Sequence, residues 1–215
     1  MGDAGQITCT VATAVSLLLF LPVLGSFVRL FPLLWTSLFR TATSLHIEDS
    51  KKVQRQRDMI FFLMLPSLVT IIWKYSLYSP SWFEALAEPY RLLATAGTFA
   101  AFLLVRLLLD KAAPHRRFST KTYEAAMGSP KNFWILLTAL VFAGAFIFDI
   151  CGMDKNMLKL VIFCLSGVLY LLFIIRRYQI FAFDCNYLTS ILYLCALEIL
   201  PTALFVIPAA VIFTV

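Results

Sequence analysis

Glu198 is the residue of this sequence whose position raises the sharpest chemical question. It stands in the apolar string LYLCALEILP, residues 192–201, about eleven residues and therefore about 16 Å into the last long apolar run. An acidic side chain at such a depth costs about 2.5–3.5 kcal/mol on membrane-insertion scales. The carboxyl group must therefore be protonated, paired with a cation from another helix, or open to water.

Pro201 adds a second irregularity three residues later. A proline lacks a backbone donor and clashes with the carbonyl four residues earlier, here that of Leu197, so we expect a kink. We group Glu198 and Pro201 with Tyr193 and Cys195 as a predicted intramembrane polar box. Its role stays open between a contact that joins helices or subunits, a site for a transported ion or proton, and a catalytic site.

Three basic residues lie close enough to apolar segments to reach Glu198. Arg106 is about one turn inside the predicted third span, whereas Lys74 and Lys159 lie toward the other side. Long basic side chains usually extend to the nearer membrane surface, and Arg106 has Asp110 four residues on as a local partner. If a cation pairs with Glu198, the sequence favours Arg106.

The sequence lacks the motifs of familiar enzymes. It contains no GxSxG, HExxH, P-loop or Asp-rich diphosphate motif, and neither His46 nor His115 falls in a predicted span. No spacing of His, Cys and carboxylate residues is typical of a metal site. We therefore predict no catalytic residue, no metal and no cofactor, and an enzyme is the less favoured class.

The composition places the polar box in a membrane protein. Of the 215 residues, 61% are hydrophobic and only 14% are charged, whereas soluble domains average about 45–50% and about 25%. A spanning helix needs about 20 apolar residues. Six segments qualify, near 7–28, 59–78, 89–110, 132–150, 156–175 and 188–213. The predicted fold is all-α, a polytopic bundle of six transmembrane helices in a single domain, 1–215.

The basic residues predict how the bundle is oriented. Of the 18 Lys and Arg residues, fourteen flank the first, third and fifth loops. The positive-inside rule places these loops in the cytoplasm and both termini in the periplasm of a bacterial inner membrane. The net charge of +6 then reflects topology, and nucleic acid is excluded as a partner. The residues predicted to contact lipid headgroups are Arg29, Arg40, His115, Arg116 and Arg117.

The stretch 27–39 repeats apolar side chains at helical spacing, with Arg29 and Thr36 on the other face. This pattern predicts an amphipathic helix on the cytoplasmic surface after the first span, with Pro32 in its first turn or at the bend into it. The alternative is that the first span continues to Phe39 at a steep tilt.

The C-terminal box is similar to a sequence pattern of a known group of proteins. The string LYLCALEILP follows the basic stretch RRYQIF of residues 176–181 and closes a short six-span chain. With the Phe-rich stretch after the first span, it resembles a family of inner-membrane proteins of unknown function from Bacteroidota. The resemblance implies an inner-membrane location and Bacteroidota ancestry, and it implies no particular activity.

Three functions stay open at this point. The leading hypothesis is a non-enzymatic subunit or scaffold of a cell-envelope complex, in contact with membrane lipids and with another membrane protein or a second copy. It is based on the short loops and on a buried polar box suited to helix–helix contact. The second is a small transporter or proton-coupled carrier that uses Glu198. The third is a lipid-modifying enzyme near Arg106, His115 and Arg116.

Overall fold

The structure is a computed structural model of the chain, and it describes residues 3–39, 50–78, 80, 83, 86–112, 120–152, 154–184 and 186–210. The regular elements in these residues are helical. In chain order they are α1 (Asp3–Phe39), α2 (Lys51–Lys74), α3 (Glu88–Ala112), α4 (Thr120–Cys151), α5 (Lys155–Asp184), α6 (Tyr187–Leu194), a π-helical turn (Cys195–Ile199) and α7 (Leu200–Ala210).

Six helical stretches are long and apolar enough to cross a membrane. They are Thr10–Phe39, Lys51–Lys74, Pro89–Lys111, Ala125–Cys151, Asn156–Ala182 and Tyr187–Ile207. The last of them combines α6, the π turn and most of α7, and we refer to it as the sixth span. The prediction of an all-α polytopic protein with six spans is therefore confirmed.

The helices α2 and α4 lie at the centre of the bundle. In the most apolar stretch of each span, 44% of the α2 residues and 39% of the α4 residues are buried, against 12% for α1. α2 packs on α1, α3 and α4, and α4 packs on α5. The core joins residues such as Leu34, Met64, Ile135 and Phe173 from four of these helices.

Polar contacts at both ends show that α2 and α4 run in the same direction. Near their N-termini, Lys131 Nζ donates to Asp58 Oδ2 at 2.7 Å. Near their C-termini, Tyr75 Oη, just after α2, donates to Asp149 Oδ2 at 2.8 Å. Lys74 Nζ lies 4.0 Å from the same Asp149 oxygen. In a chain that crosses a bilayer at every span, the second and fourth spans must be parallel.

Small hydroxyl side chains join α1 to α2 inside the core. The Ser16 hydroxyl lies 2.8 Å from the Ala12 carbonyl and 2.9 Å from Thr70 Oγ1, so its single proton has two acceptors. Thr70 Oγ1 donates to the Pro66 carbonyl at 2.9 Å, and Ser67 Oγ donates to the Ser16 carbonyl at 3.2 Å. Small polar residues let two spanning helices approach closely while every hydroxyl keeps a partner.

The structure does not show the predicted amphipathic surface helix as a separate element. α1 continues through Pro32 to Phe39 as one helix. Leu30, Leu34 and Leu38 are buried and repeat every four residues, so the last turns of α1 stay packed against the bundle. The alternative, a first span that continues to Phe39, describes the structure.

The fifth helix is longer than the sequence indicated. The predicted span ends at 175, whereas α5 continues to Asp184 and includes Arg176 and Arg177. Both arginines are buried, with 5% and 0% of their surface exposed. Two residues that we assigned to a cytoplasmic loop are therefore inside the helical bundle.

Candidate functional site

The sixth span changes its helical geometry where Glu198 stands. Between Cys195 and Ile199 the backbone widens into a π turn, and the N–H of Leu200 bonds the carbonyl of Cys195, five residues earlier. Pro201 has no N–H to offer and would clash with the Leu197 carbonyl in a regular α-helix. The wider turn accommodates this proline within the helix. π turns of this kind are frequent at functional sites.

The π turn holds Glu198 in an ion pair with two arginines. Glu198 is fully buried, with 0% of its surface exposed. Arg106 Nη2 of α3 contacts Oε2, and Arg177 Nη1 of α5 contacts Oε1. Both oxygens of one carboxylate are thus occupied by guanidinium groups from two other helices, and three helices meet at a single side chain.

Asp110 completes the arrangement as a second carboxylate. Its Oδ1 lies 3.3 Å from Arg177 Nη2, so Asp110 bridges α3 to α5. We refer to Arg106, Asp110, Arg177 and Glu198 together as the charged cluster. With all four side chains ionised, two positive charges face two negative charges, and the cluster carries no net charge.

Aromatic rings surround the two guanidinium groups. The Arg106 guanidinium carbon lies 5.7 Å from the centre of the Phe173 ring, and that of Arg177 lies 5.5 Å from the Phe181 ring. A cation over a ring face is attracted by the ring quadrupole, and more strongly where water is excluded. Tyr170 adds a hydrogen bond of 3.2 Å from its hydroxyl to the Glu198 carbonyl, which attaches α5 to the π turn.

Arg177 is the member of the cluster that the sequence analysis missed. It stands next to Arg176 at the end of an apolar run, where an arginine pair usually marks a loop. A signal did exist, because Phe173, Arg177, Ile180 and Phe181 are buried and follow the spacing of one helical face. That spacing indicates that the helix continues past 175 and that Arg177 shares its buried side.

The remaining predicted site residues do not gather around Glu198. Pro201 is buried one turn on, but Cys195 is exposed with a free thiol, and Tyr193 is half-buried with its ring 6.3 Å from Phe181. Arg29 is exposed on α1. The other predicted lipid contacts, Arg40, His115, Arg116 and Arg117, lie outside the described residues. The side-chain ion pairs of Glu198 described above thus come from other members of the charged cluster.

A cavity of about 430 Å³ lies beside the cluster, among α2, α3, α4, α5 and the sixth span. Arg106 and Tyr170 line it on the side of the cluster. Tyr78 also lines the cavity, and its hydroxyl donates to the Phe205 carbonyl at 3.2 Å. Burial raises the pKa of the Tyr78 phenol above its usual value, which keeps it an uncharged donor.

Within the described residues, no group of three or more His, Cys, Asp and Glu side chains has the geometry to hold a metal ion. A scan against protein-family models matches no family, and searches of curated proteins and of solved structures find no match. The resemblance to the Bacteroidota family stays a prediction from the sequence.

Proposed function

We propose that this multi-pass protein is a non-enzymatic subunit or scaffold of a cell-envelope complex in a bacterial inner membrane of the Bacteroidota type. The observation that carries the proposal is the occupation of both Glu198 oxygens by Arg106 and Arg177. This carboxylate is also fully buried, so it is not exposed to a substrate or a moving ion. Its role is to fix α3, α5 and the sixth span relative to one another.

The other two functions both need one of these side chains to be available. A carrier that uses Glu198 requires the carboxylate to release its partners in each cycle, and it would have to break two buried ion pairs to do so. A lipid-modifying enzyme near Arg106 would use a guanidinium that already pairs with Glu198. The charged cluster therefore favours a structural role over either alternative.

The proposed orientation places both termini in the periplasm and the first, third and fifth loops in the cytoplasm. It is supported by the excess of Lys and Arg in and beside the first and third loops. It is tested with single-cysteine variants labelled by a membrane-impermeant maleimide on intact spheroplasts. We expect labelling of a cysteine at Asp154, between α4 and α5, and none at Lys51. Labelling in the reverse pattern would contradict the orientation.

The scaffold proposal is tested by isolating the tagged protein from native membranes in mild detergent and measuring the stoichiometry of co-purifying proteins. We expect a partner, or a second copy, in fixed ratio to the wild-type chain. The Glu198→Gln variant should no longer co-purify with this partner, because the three helices are no longer held together. Asp149→Asn, a change of an exposed carboxylate at the other end of the bundle, is the matched control and should keep it.

A second measurement separates the proposal from its alternatives. The purified wild-type protein is reconstituted alone in liposomes and assayed for ion and proton flux and for conversion of labelled lipids. We expect neither activity above that of empty liposomes. Flux that Glu198→Gln abolishes and Asp149→Asn preserves would establish the carrier, and conversion of lipid would establish the enzyme.

A further inference from the structure

The cavity beside the charged cluster has the dimensions of a ligand site. Its volume of about 430 Å³ falls within the range of about 300–1,000 Å³ that ligand pockets occupy. Lys159 and Tyr170, both lining residues of α5, are eleven positions apart, and the cavity therefore extends about 16 Å along that helix. A site of this length holds a molecule larger than a water or an ion.

The cavity opens on the outer side of the bundle between α5 and the sixth span. Three of its lining residues, Phe163 and Gly167 on α5 and Ile199 in the π turn, are exposed on the outer surface. That surface lies within two spans, so the opening faces the interior of the bilayer. A ligand that enters there comes from the lipid phase.

Aromatic side chains are enriched in the lining. Eight of the 22 lining residues are Phe, Tyr or Trp, whereas these types make up 15% of the chain. Aliphatic side chains alone are sufficient to hold an acyl chain, whereas aromatic faces favour offset or edge contacts with another planar ring. The lining therefore fits a planar, conjugated group better than a flexible chain.

Two buried donors that belong to lining residues have no hydrogen-bond partner among the described residues. They are Arg106 Nε and Trp134 Nε1. Arg106 is 5% exposed and Trp134 is 7% exposed, so water outside the protein does not satisfy them. Both groups only donate, and a buried donor is nearly always paired, so the matching group on a ligand is an oxygen acceptor.

The charge of the cluster decides which kind of oxygen fits. Arg106 and Arg177 are already balanced by Glu198 and Asp110. Lys159, the other cation of the lining, lies toward the opposite end of the cavity. A carboxylate or phosphate placed against Arg106 would therefore add a negative charge that the cluster does not balance, which is unfavourable in a mostly apolar site. A carbonyl oxygen accepts a hydrogen bond from a donor of this kind and leaves the net charge at zero.

We propose that this cavity binds a lipid quinone. The planar ring lies among the aromatic side chains, one ring carbonyl accepts from Arg106 and Trp134, and the apolar tail leaves between α5 and the sixth span. Quinone binding would be a function in addition to the scaffold role. It does not depend on that role, because the ligand binds to a single chain. It also departs from the sequence-based prediction that the protein takes no cofactor.

The test uses the purified full-length protein in detergent and decylubiquinone as the probe, with binding followed by equilibrium titration. We expect saturable binding of one quinone per chain. Gly167→Leu adds a side chain at the mouth of the cavity, where a Cβ atom meets nothing within 4 Å. This variant should fold normally and bind at least roughly tenfold more weakly, since the ring no longer enters.

Gly97→Leu is the matched control. Gly97 is an exposed glycine of α3 with equally open space around its Cβ position, and it does not line the cavity. We expect wild-type affinity from this variant. Trp134→Phe keeps an aromatic ring and removes the N–H, so it should weaken quinone binding about fivefold through the lost hydrogen bond. Thermal melting of each variant verifies that it is folded.

Three outcomes overturn the proposal. One is binding that does not saturate, and another is equal affinity of the wild type and Gly167→Leu. The third comes from competition with two acyl lipids that have no ring. One is 1-monooleoylglycerol, which is uncharged and has a carbonyl group, and the other is oleate, which is charged. If either displaces decylubiquinone with equal or higher affinity, the cavity is a site for an acyl lipid and the quinone assignment is wrong.

Discussion

Two regions of this bundle hold helices together with polar groups, and they do so in opposite ways. Between α1 and α2 the contact is made by neutral hydroxyls, Ser16, Ser67 and Thr70. Between α3, α5 and the sixth span it is made by Glu198 and three other charged side chains. Both regions are buried and both join different spans.

The two regions differ in what each group does when its partner on the other helix is lost. The hydroxyls of Ser16 and Thr70 have acceptors one turn back in their own helices, at Ala12 and Pro66, so they stay satisfied. Glu198 has no such local substitute, since its compensating charges come from two other helices. Loss of a hydroxyl contact therefore leaves every group satisfied, whereas loss of one member of the charged cluster leaves a buried charge without compensation.

The largest effect is expected from Glu198→Gln. The change leaves two buried guanidiniums close together with Asp110 as the only carboxylate between them. Removing one partner of a buried ion pair destabilises by roughly 3–5 kcal/mol. The free energy of unfolding, measured by SDS titration in mixed micelles, should fall by that amount, whereas Asp149→Asn should leave it nearly unchanged because Asp149 is 56% exposed.

A double variant sharpens this result. Adding Arg106→Gln to Glu198→Gln removes one positive charge together with the negative one, and it leaves the Arg177–Asp110 pair in place. We expect the double variant to be more stable than Glu198→Gln alone, with a coupling energy of about 1–3 kcal/mol. Strictly additive effects of the two substitutions would show that Arg106 and Glu198 do not interact.

Asp110→Asn should have an intermediate effect. Asp110 is 15% exposed and lies 3.3 Å from Arg177, which keeps Glu198 as a second partner. We therefore expect the free energy of unfolding to fall by about 1–2 kcal/mol, which is less than for the loss of one partner of a fully buried pair. The same SDS titration measures it, and a loss as large as that of Glu198→Gln would mean that Asp110 is the principal partner of Arg177.

Ser16→Ala should have a small effect. Hydrogen bonds between spanning helices average about 0.6 kcal/mol, and after the change Thr70 keeps its bond to the Pro66 carbonyl. The expected fall in the free energy of unfolding is therefore below about 1 kcal/mol. A loss comparable to that of Asp110→Asn would remove the distinction between the two regions.

The smallest effects come from two glycines that differ in the space around them. At Gly144 an added Cβ would lie 3.3 Å from Ile162 Cγ1, so Gly144→Ala forces a small shift between α4 and α5. At Gly167 the same change meets nothing within 4 Å. Alanine favours a helix over glycine by roughly 0.5–1 kcal/mol. Gly167→Ala should therefore stabilise the protein slightly, and Gly144→Ala should be neutral or slightly destabilising in the same titration.

Part of the site was accessible from the sequence. A carboxylate in the last apolar run required compensation, and the position of Arg106 inside the third span favoured it as a partner; the structure places these two side chains in contact. Arg177 was not identified, because an arginine pair after an apolar run usually marks the end of a helix. The apolar spacing of Phe173, Ile180 and Phe181 does indicate a longer helix, but only the neighbours of α5 show that Arg177 pairs with Glu198.

The sequence by itself determined the all-α class, the six apolar runs and the presence of a buried acid before Pro201, because hydropathy and proline chemistry are properties of a segment. The tertiary structure decided that α1 continues to Phe39, that the proline produces a π turn and that Arg177 closes the charged cluster. These outcomes depend on which helices are neighbours and which faces they turn to one another. Ion pairs and cavities arise between helices, and no single segment contains them.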